Sequence, residues 1–294
     1  MLRVPHRGGP GETSHVHATM PISPVITLAG VSKCFQSTTA LHNVSVTIPP
    51  GQFVAIIGCS GAGKTTLLHC LSRTTRVTAG SIRFGTSDLT SLHGESLRQH
   101  RARVGMIYQQ FNLVKRLHVC DNVLIGRLPH LSGVAWWLAL GRYFPAAQRH
   151  IALRCLEHVG LLDRAWQRTD TLSGGEQQRV AIAKVLAQQP QVILADEPVA
   201  SLDVMNGALV LETLRRVASE TGLTVIATLH HVEYARRYAD RVLGLRAGEL
   251  VFDGCSHALT DATLRNLFSE ASEPSEPPAP TATPDMTWVA SSCK

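Results

Sequence analysis

No apolar run in the chain approaches the ~20 residues needed to cross a bilayer as a helix, so work at a membrane would have to be done by docking. The seven cysteines, at 34, 59, 70, 120, 155, 255 and 293, hold no close pair of the kind that binds zinc or cycles as a dithiol. Their odd number, together with an N-terminus that lacks an apolar leader, points to a reducing compartment, the cytoplasm. No Asn-Lys-x-Asp string is present to read a guanine base, which counts against a GTPase switch. No heptads lie between residues 64 and 173, so that gap cannot form a long coiled coil. Strong charge of one sign is also missing. A formal charge of +6 fits nucleic acid, an anionic membrane face or a merely basic enzyme surface.

What is present is a core-forming chain of 294 residues, 44% hydrophobic, organised around Gly58-Cys59-Ser60-Gly61-Ala62-Gly63-Lys64-Thr65-Thr66. The β-branched run Phe53 to Ile57 precedes it and reads as a buried strand; Leu67 to Leu71 follows and can continue as a helix. Glycines bridging a strand and a helix are the setting of a phosphate-binding loop. Its backbone N–H groups face inward, the helix adds the positive end of its dipole, Lys64 can neutralise terminal phosphates, and the Thr65 hydroxyl can reach magnesium. The chain therefore reads as a nucleoside triphosphate binder.

Around this loop the pattern is α/β. Residues 25 to 57 are strand-like, with Val44, Val46 and Ile48 alternating before the Pro49-Pro50-Gly51 turn. Phe35 stands in a polar loop ahead of that hairpin, where it could stack on a base or, as the residues alone favour, tuck into the core. Val104 to Tyr108 reads as a strand ending in Gln109, an amide placed to meet a ligand or metal at a strand's carboxyl end. From 112 to 170 helical signals dominate: Ile151, Cys155, Val159 and Leu162 share a helical face, and Trp136, Trp137 and Leu138 form an apolar patch read as core. Ser173, Gly174 and Gly175 open a further helix, a second start able to hold an anion or simply a capped one.

Val192 to Ala195 is a buried strand ending in Asp196 and Glu197. One carboxylate can hold magnesium and the other can orient or deprotonate an attacking water, although two acids also suit a surface turn. Ser201, Leu202 and Asp203 begin the next helix. The strand Thr224 to Thr228 is followed by His230 and His231, either of which could donate to a γ-phosphate. The termini, rich in Gly and Pro at 1–22 and in Ser, Glu and Pro at 269–294, read as disordered, and Met20 is expected to be the true start.

Together these residues resemble the ATP-binding cassette family over roughly residues 25 to 268, and the string Leu172 to Arg179 matches that family's signature. The resemblance implies a P-loop NTPase core with a parallel sheet, an N-terminal antiparallel β subdomain and an inserted helical subdomain at about 112–170, all within an ATP-binding domain at 23–268. It implies ATP and Mg2+ as ligands, Phe35 stacking on adenine, Gln109 contacting magnesium and Asp196 binding it. It further implies Glu197 as the catalytic glutamate, Asp203 at the dimer interface, and His230 rather than His231 as the switch histidine. Within the family the chain is most similar to the ATP-binding subunits of bacterial phosphonate importers, through Tyr108 to Val114, Ala187 to Pro190, Ala195 to Asp203 and Leu229 to Val232. The implied partners are a second copy, transmembrane permease subunits and, through them, a periplasmic substrate-binding protein, at the cytoplasmic face of the inner membrane, with no nucleic acid. An importer for phosphite, an amino acid or a metal chelate, or a DNA- or ribosome-associated ATPase, are the alternatives. Cys59, Lys184 (usually arginine) and Val204 (often proline) depart from the family pattern without removing a catalytic group.

Overall fold

The computed structural model describes residues 25–141 and 143–269; the expected 1–22 extension, the Met20 start and the tail from 270 onward lie outside the described residues. Among the described residues, ten strands form two sheets. The first is antiparallel, in the order β2-β1-β4-β5, built from β1 (Ile26–Phe35), β2 (Thr38–Ile48), β4 (Ala79–Phe84) and β5 (Ser87–Asp88). The second runs β10-β9-β3-β8-β7-β6, from β3 (Phe53–Ile57), β6 (Val104–Ile107), β7 (Val192–Ala195), β8 (Thr224–Thr228), β9 (Arg241–Arg246) and β10 (Glu249–Cys255). Strands β9, β3, β8, β7 and β6 are parallel. They are apolar at nearly every position because both faces are covered. Phe53, Ala55 and Ile57 of β3, Val225 and Ala227 of β8, and Ile193 and Ala195 of β7 face one core; Val54, Ile56, Ile226, Val192 and Leu194 face the other.

The first core is closed by helices. Helix α6 (Gly174–Ala187) packs against α3 (Val119–Ile125), α5 (Ala146–His158) and α7 (Val204–Thr221). In α7 the buried residues Gly207, Val210, Leu211, Leu214, Val217 and Ala218 recur at helical spacing, and the helix ends on Gly222 at φ 69°. The second core lies between the parallel sheet, α1 (Lys64–Leu71) and the antiparallel sheet. The remaining helices are α2 (Gly94–Arg103), α4 (Gly133–Leu140), α8 (Val232–Tyr238) and α9 (Asp261–Phe268).

Buried side chains fix segments that the helices alone would leave loose. Asn122, fully buried, accepts from the Val114 N–H at 2.8 Å and donates to the Val114 carbonyl at 3.0 Å and the Thr169 hydroxyl at 2.9 Å. It thereby straps the segment after Gln109 to the segment before Ser173. Asp240, though exposed, fixes the entry to β3 in the same way, accepting from the Phe53 N–H at 2.8 Å.

Two expectations from the sequence are corrected here. Helix α5 stops at His158, so Leu162 falls in a separate turn and is 45% exposed; the buried face is Ala152, Cys155, Leu156 and Val159. Trp136, Trp137 and Leu138 are not core: they are 39%, 70% and 51% exposed on α4. An eight-residue helix that is apolar on every side carries no period to say which face turns inward.

Candidate functional site

Parallel strands bring their carboxyl ends to one edge, and here that edge carries the chemistry-bearing residues. Strand β3 leads into Gly58 to Thr66, β7 into Asp196 and Glu197, β8 into His230, and β6 into Gln109, with β8 lying between β3 and β7. Gly58, Gly61 and Gly63 all hold positive φ. At Gly63, with φ 97°, a Cβ would sit 2.4 Å from the Ala40 carbonyl oxygen, so only glycine lets the loop turn into α1 against β2. Cys59 is half-buried, Ser60, Gly61 and Thr65 are exposed, Ala62 and Lys64 are buried, and Thr66 is half-buried.

Lys64 curls back over the loop: its Nζ donates to the carbonyls of Gly58 and Cys59, each at 2.9 Å. Burial holds its ammonium below the ordinary lysine range, against the opposing pull of Glu197, Cys59 and Asp196. Across the loop, the Thr65 hydroxyl donates to Asp196 Oδ1 at 3.0 Å. Thr228, at the end of β8, donates to the same oxygen at 3.0 Å and accepts from the Glu197 N–H at 2.7 Å. Glu197 sits at φ 49°, a left-handed conformation that costs an L-residue about 1–2 kcal/mol. That turn aims its carboxylate at His230, whose Nε2 lies 2.5 Å from Oε1. His231 instead occupies the N-cap position of α8 without a side-chain capping bond and packs edge-on against Tyr234, which separates the two histidines.

A second group forms at the start of α6. Ser173 is the N-cap, its Oγ accepting from the Glu176 N–H while the Glu176 carboxylate accepts from the Ser173 N–H at 2.9 Å. Asp203 caps α7 through the Asn206 N–H at 3.0 Å and the Asn206 side-chain amide. Asn206 in turn lies so close to α6 that a Cβ on Gly175 would meet its Oδ1 at 2.7 Å, and Leu202 packs on Gly174. The two helix starts thus abut. No side-chain hydrogen bond among the described residues joins Ser173 to the phosphate loop.

Phe35 is 47% exposed at the end of β1, with Lys33 Nζ 4.6 Å from its ring centroid; the core placement that the residues alone favoured is not what the structure has. Gln109 is exposed two residues beyond β6. Beside it opens a groove of about 300 Å³ lined by Tyr108, Phe111, Asn112, Pro129, Lys184 and Gln188, among others. Lys184 Nζ donates to the Asn112 carbonyl at 2.9 Å, and burial lowers its pKa. Sequence reasoning missed Thr228, Asn206 and Glu176. The Ser-x-x-Glu spacing of a capping box was available for Glu176. Thr228 could be found only from the pairing of β8 with β7.

Comparisons with known proteins agree with this architecture. The ABC transporter family profile matches residues 41–200. Phosphonates import ATP-binding protein PhnC 2 of Rhodopseudomonas palustris (strain BisA53) is 45% identical over 250 residues, 85% of this chain and 92% of the relative. Phosphonates import ATP-binding protein PhnC of Bacillus cereus is 43% identical over 253 residues, 86% of this chain and 97% of the relative. Among solved structures, a dimeric ATP-binding cassette in a post-hydrolysis state, bound to ADP and Pi, superposes with a TM-score of 0.68 at 31% identity, over 80% of this chain and all of that one. The chain belongs to the ABC transporter family. It is an ATP-binding, ATP-hydrolysing cassette with the P-loop NTPase fold, and its likeness to the two curated relatives runs over more than four-fifths of its length.

Proposed function

We propose that this chain is the ATP-hydrolysing subunit of a phosphonate importer, acting as one of two copies beneath a transmembrane permease at the cytoplasmic face of the inner membrane and fed by a periplasmic substrate-binding protein. The observation that carries the substrate is the 43–46% identity, over more than four-fifths of the chain, to relatives named for phosphonate import. No helix among the described residues is long and apolar enough to cross a membrane, so the cassette works at one by docking. The groove beside Gln109 is where a permease element would seat. The Asn122 strap would pass its movement to Ser173.

The nucleotide reading draws on both groups. The N–H groups of Gly58 to Thr66 and the N-terminus of α1 cradle phosphates, with Phe35 stacking on adenine. Lys64 gives up its two carbonyls for the terminal phosphates. Thr65 and Asp196 offer hard oxygen donors 3.0 Å apart, a set that suits Mg2+ completed by phosphate, water and Gln109. That ion would supply charge neutralisation at the phosphates. Glu197 orients the attacking water and His230 holds that carboxylate in place. Ser173, Gly174 and Gly175 of a second copy close over the γ-phosphate, with Asp203 at the seam, which gives two equal sites under twofold symmetry.

The test is isolation of the tagged chain from membranes of its native host, followed by ATP turnover of the recovered complex in vesicles. A permease should come with it, and a phosphonate-loaded binding protein should raise turnover. Stimulation by phosphite, an amino acid or a metal chelate in its place would reassign the cargo. Recovery with nucleic acid or ribosomes and no permease would overturn the transport reading.

A further inference from the structure

Helix α4 leaves large apolar side chains facing outward. Val134, Trp137 and Leu138 fall at i, i+3 and i+4, so they share one face, and they are 73%, 70% and 51% exposed. Ala139, with Leu131 just ahead of the helix, goes inward. Trp136 and Trp137 pack edge to face at 5.1 Å. The chain then folds back, Tyr143 N–H donating to the Leu138 carbonyl at 2.9 Å, and Tyr143, 77% exposed, stands at the end of the same helix. No charged residue lies within α4.

The sequence on either side of it is one-signed. From residue 122 to residue 156 the chain has no Asp or Glu, but it has Arg127, Arg142, Arg149, Arg154, His130 and His150. Of these, Arg149 and His150 are exposed on α5, whereas Arg127 is buried on Gln148, Gln189 and the Ala187 carbonyl. An outward apolar stripe that carries Trp and Tyr, flanked by arginine and free of acids, has the chemistry of a helix lying in a lipid headgroup layer. The same charge argues against a permease loop as its occupant, because cytoplasmic loops of membrane proteins are themselves rich in Lys and Arg. Pro129, a few residues before α4, lines the groove beside Gln109, so the helix stands near the side where a membrane partner would dock.

We propose that α4 is an interfacial anchor that rests on anionic lipid headgroups, inserting Trp137, Leu138 and Val134 between them while Arg149 and its neighbours meet the phosphates. The contact holds each cassette against the bilayer beside its permease and needs no particular cargo, so it stands or falls apart from the phosphonate assignment.

The experiment is co-sedimentation of the full chain with vesicles of phosphatidylcholine alone and of phosphatidylcholine with about 30% phosphatidylglycerol. The chain should bind the anionic vesicles at least about tenfold more tightly than the neutral ones, with affinity falling as salt rises. Trp137→Ser keeps the net charge and Val134→Asp puts an acid on the stripe. Each should cut vesicle binding about tenfold or more and leave ATP hydrolysis in solution unchanged. If Trp137→Ser sediments as the unaltered chain does, the general positive charge is responsible and the anchor does not exist. No binding to either vesicle, or capture only by a detergent-solubilised permease, would equally overturn it.

Discussion

Thr65 Oγ1 and Thr228 Oγ1 converge on a single oxygen of Asp196, each at 3.0 Å. Thr228 is fully buried and Asp196 only 8% exposed, so the carboxylate is fixed from the β8 side while Thr65, exposed on α1, is the partner free to exchange. A magnesium ion would take the Thr65 hydroxyl as a ligand in place of the hydrogen bond. Thr65→Val keeps the shape and removes the oxygen. ATP-dependent Mn2+ binding, read by electron paramagnetic resonance, should weaken about 10- to 100-fold. The melting temperature should stay close to that of the unaltered chain. Unchanged Mn2+ affinity would remove Thr65 from the metal site.

Glu197 and His230 form the next prediction. The glutamate holds a left-handed backbone at φ 49°, secured by its N–H to Thr228 at 2.7 Å, and faces His230. Glu197→Gln preserves that hydrogen bond and removes the negative charge that would polarise water. Hydrolysis should drop at least about a hundredfold while ATP still binds. The trapped nucleotide should then hold two copies together, visible as a dimer by size-exclusion chromatography with light scattering. A monomer that turns over ATP at the unaltered rate would take the base role away from Glu197.

How much of this was legible beforehand depended on the kind of signal. Strands β3, β7 and β8 were plain because burial on both faces leaves nearly continuous Val, Ile, Leu and Ala, and the glycines before Lys64 mark a turn that only glycine fits. Phe35 was misplaced by residue chemistry alone, since one aromatic in a polar stretch does not say whether its ring turns in; the structure sets it out beside Lys33. Trp136 and Trp137 failed for the matching reason, an apolar helix being read as buried by default. Thr228 needed tertiary information, as nothing near it in the sequence announces that β8 lies beside β7.

Asp240 predicts an acid-sensitive latch on β3. Burial opposes its charge, but Arg215, bonded at 2.6 and 2.7 Å, and the Phe53 N–H outweigh that and hold the carboxyl below its usual 3.8. A depressed carboxyl stabilises the fold fully above its unfolded pKa of about 3.9, and that contribution is lost as pH falls through the lower folded value. The Arg215 pair is partly exposed and screened, so the latch is worth about 1 kcal/mol. Asp240→Asn should lower the melting temperature by about 2–4 °C at pH 7. In urea titrations the gap to the unaltered chain should narrow as pH falls below about 4. A gap that stays constant as pH falls would mean the carboxylate's charge contributes nothing.

Cys59 offers a readout of the phosphate loop that needs no transport assay. Its thiol is half-buried, 3.9 Å from the Leu267 carbonyl, whereas Cys70, Cys120 and Cys155 are buried, with their pKa values pushed up by burial to about 11, about 11 and about 12. Thiolate is the reactive form, so those three should be inert at neutral pH. With Cys34, Cys255 and Cys293 changed to Ser, maleimide should label Cys59 alone, as peptide mass mapping would read. If ATP covers the loop, only the free protein reacts. At about ten times its Kd, ATP should slow labelling about tenfold. Equal rates with and without ATP would place the nucleotide elsewhere. Cys59→Ser should hydrolyse ATP at the unaltered rate, because the loop uses the backbone at this position and not the side chain.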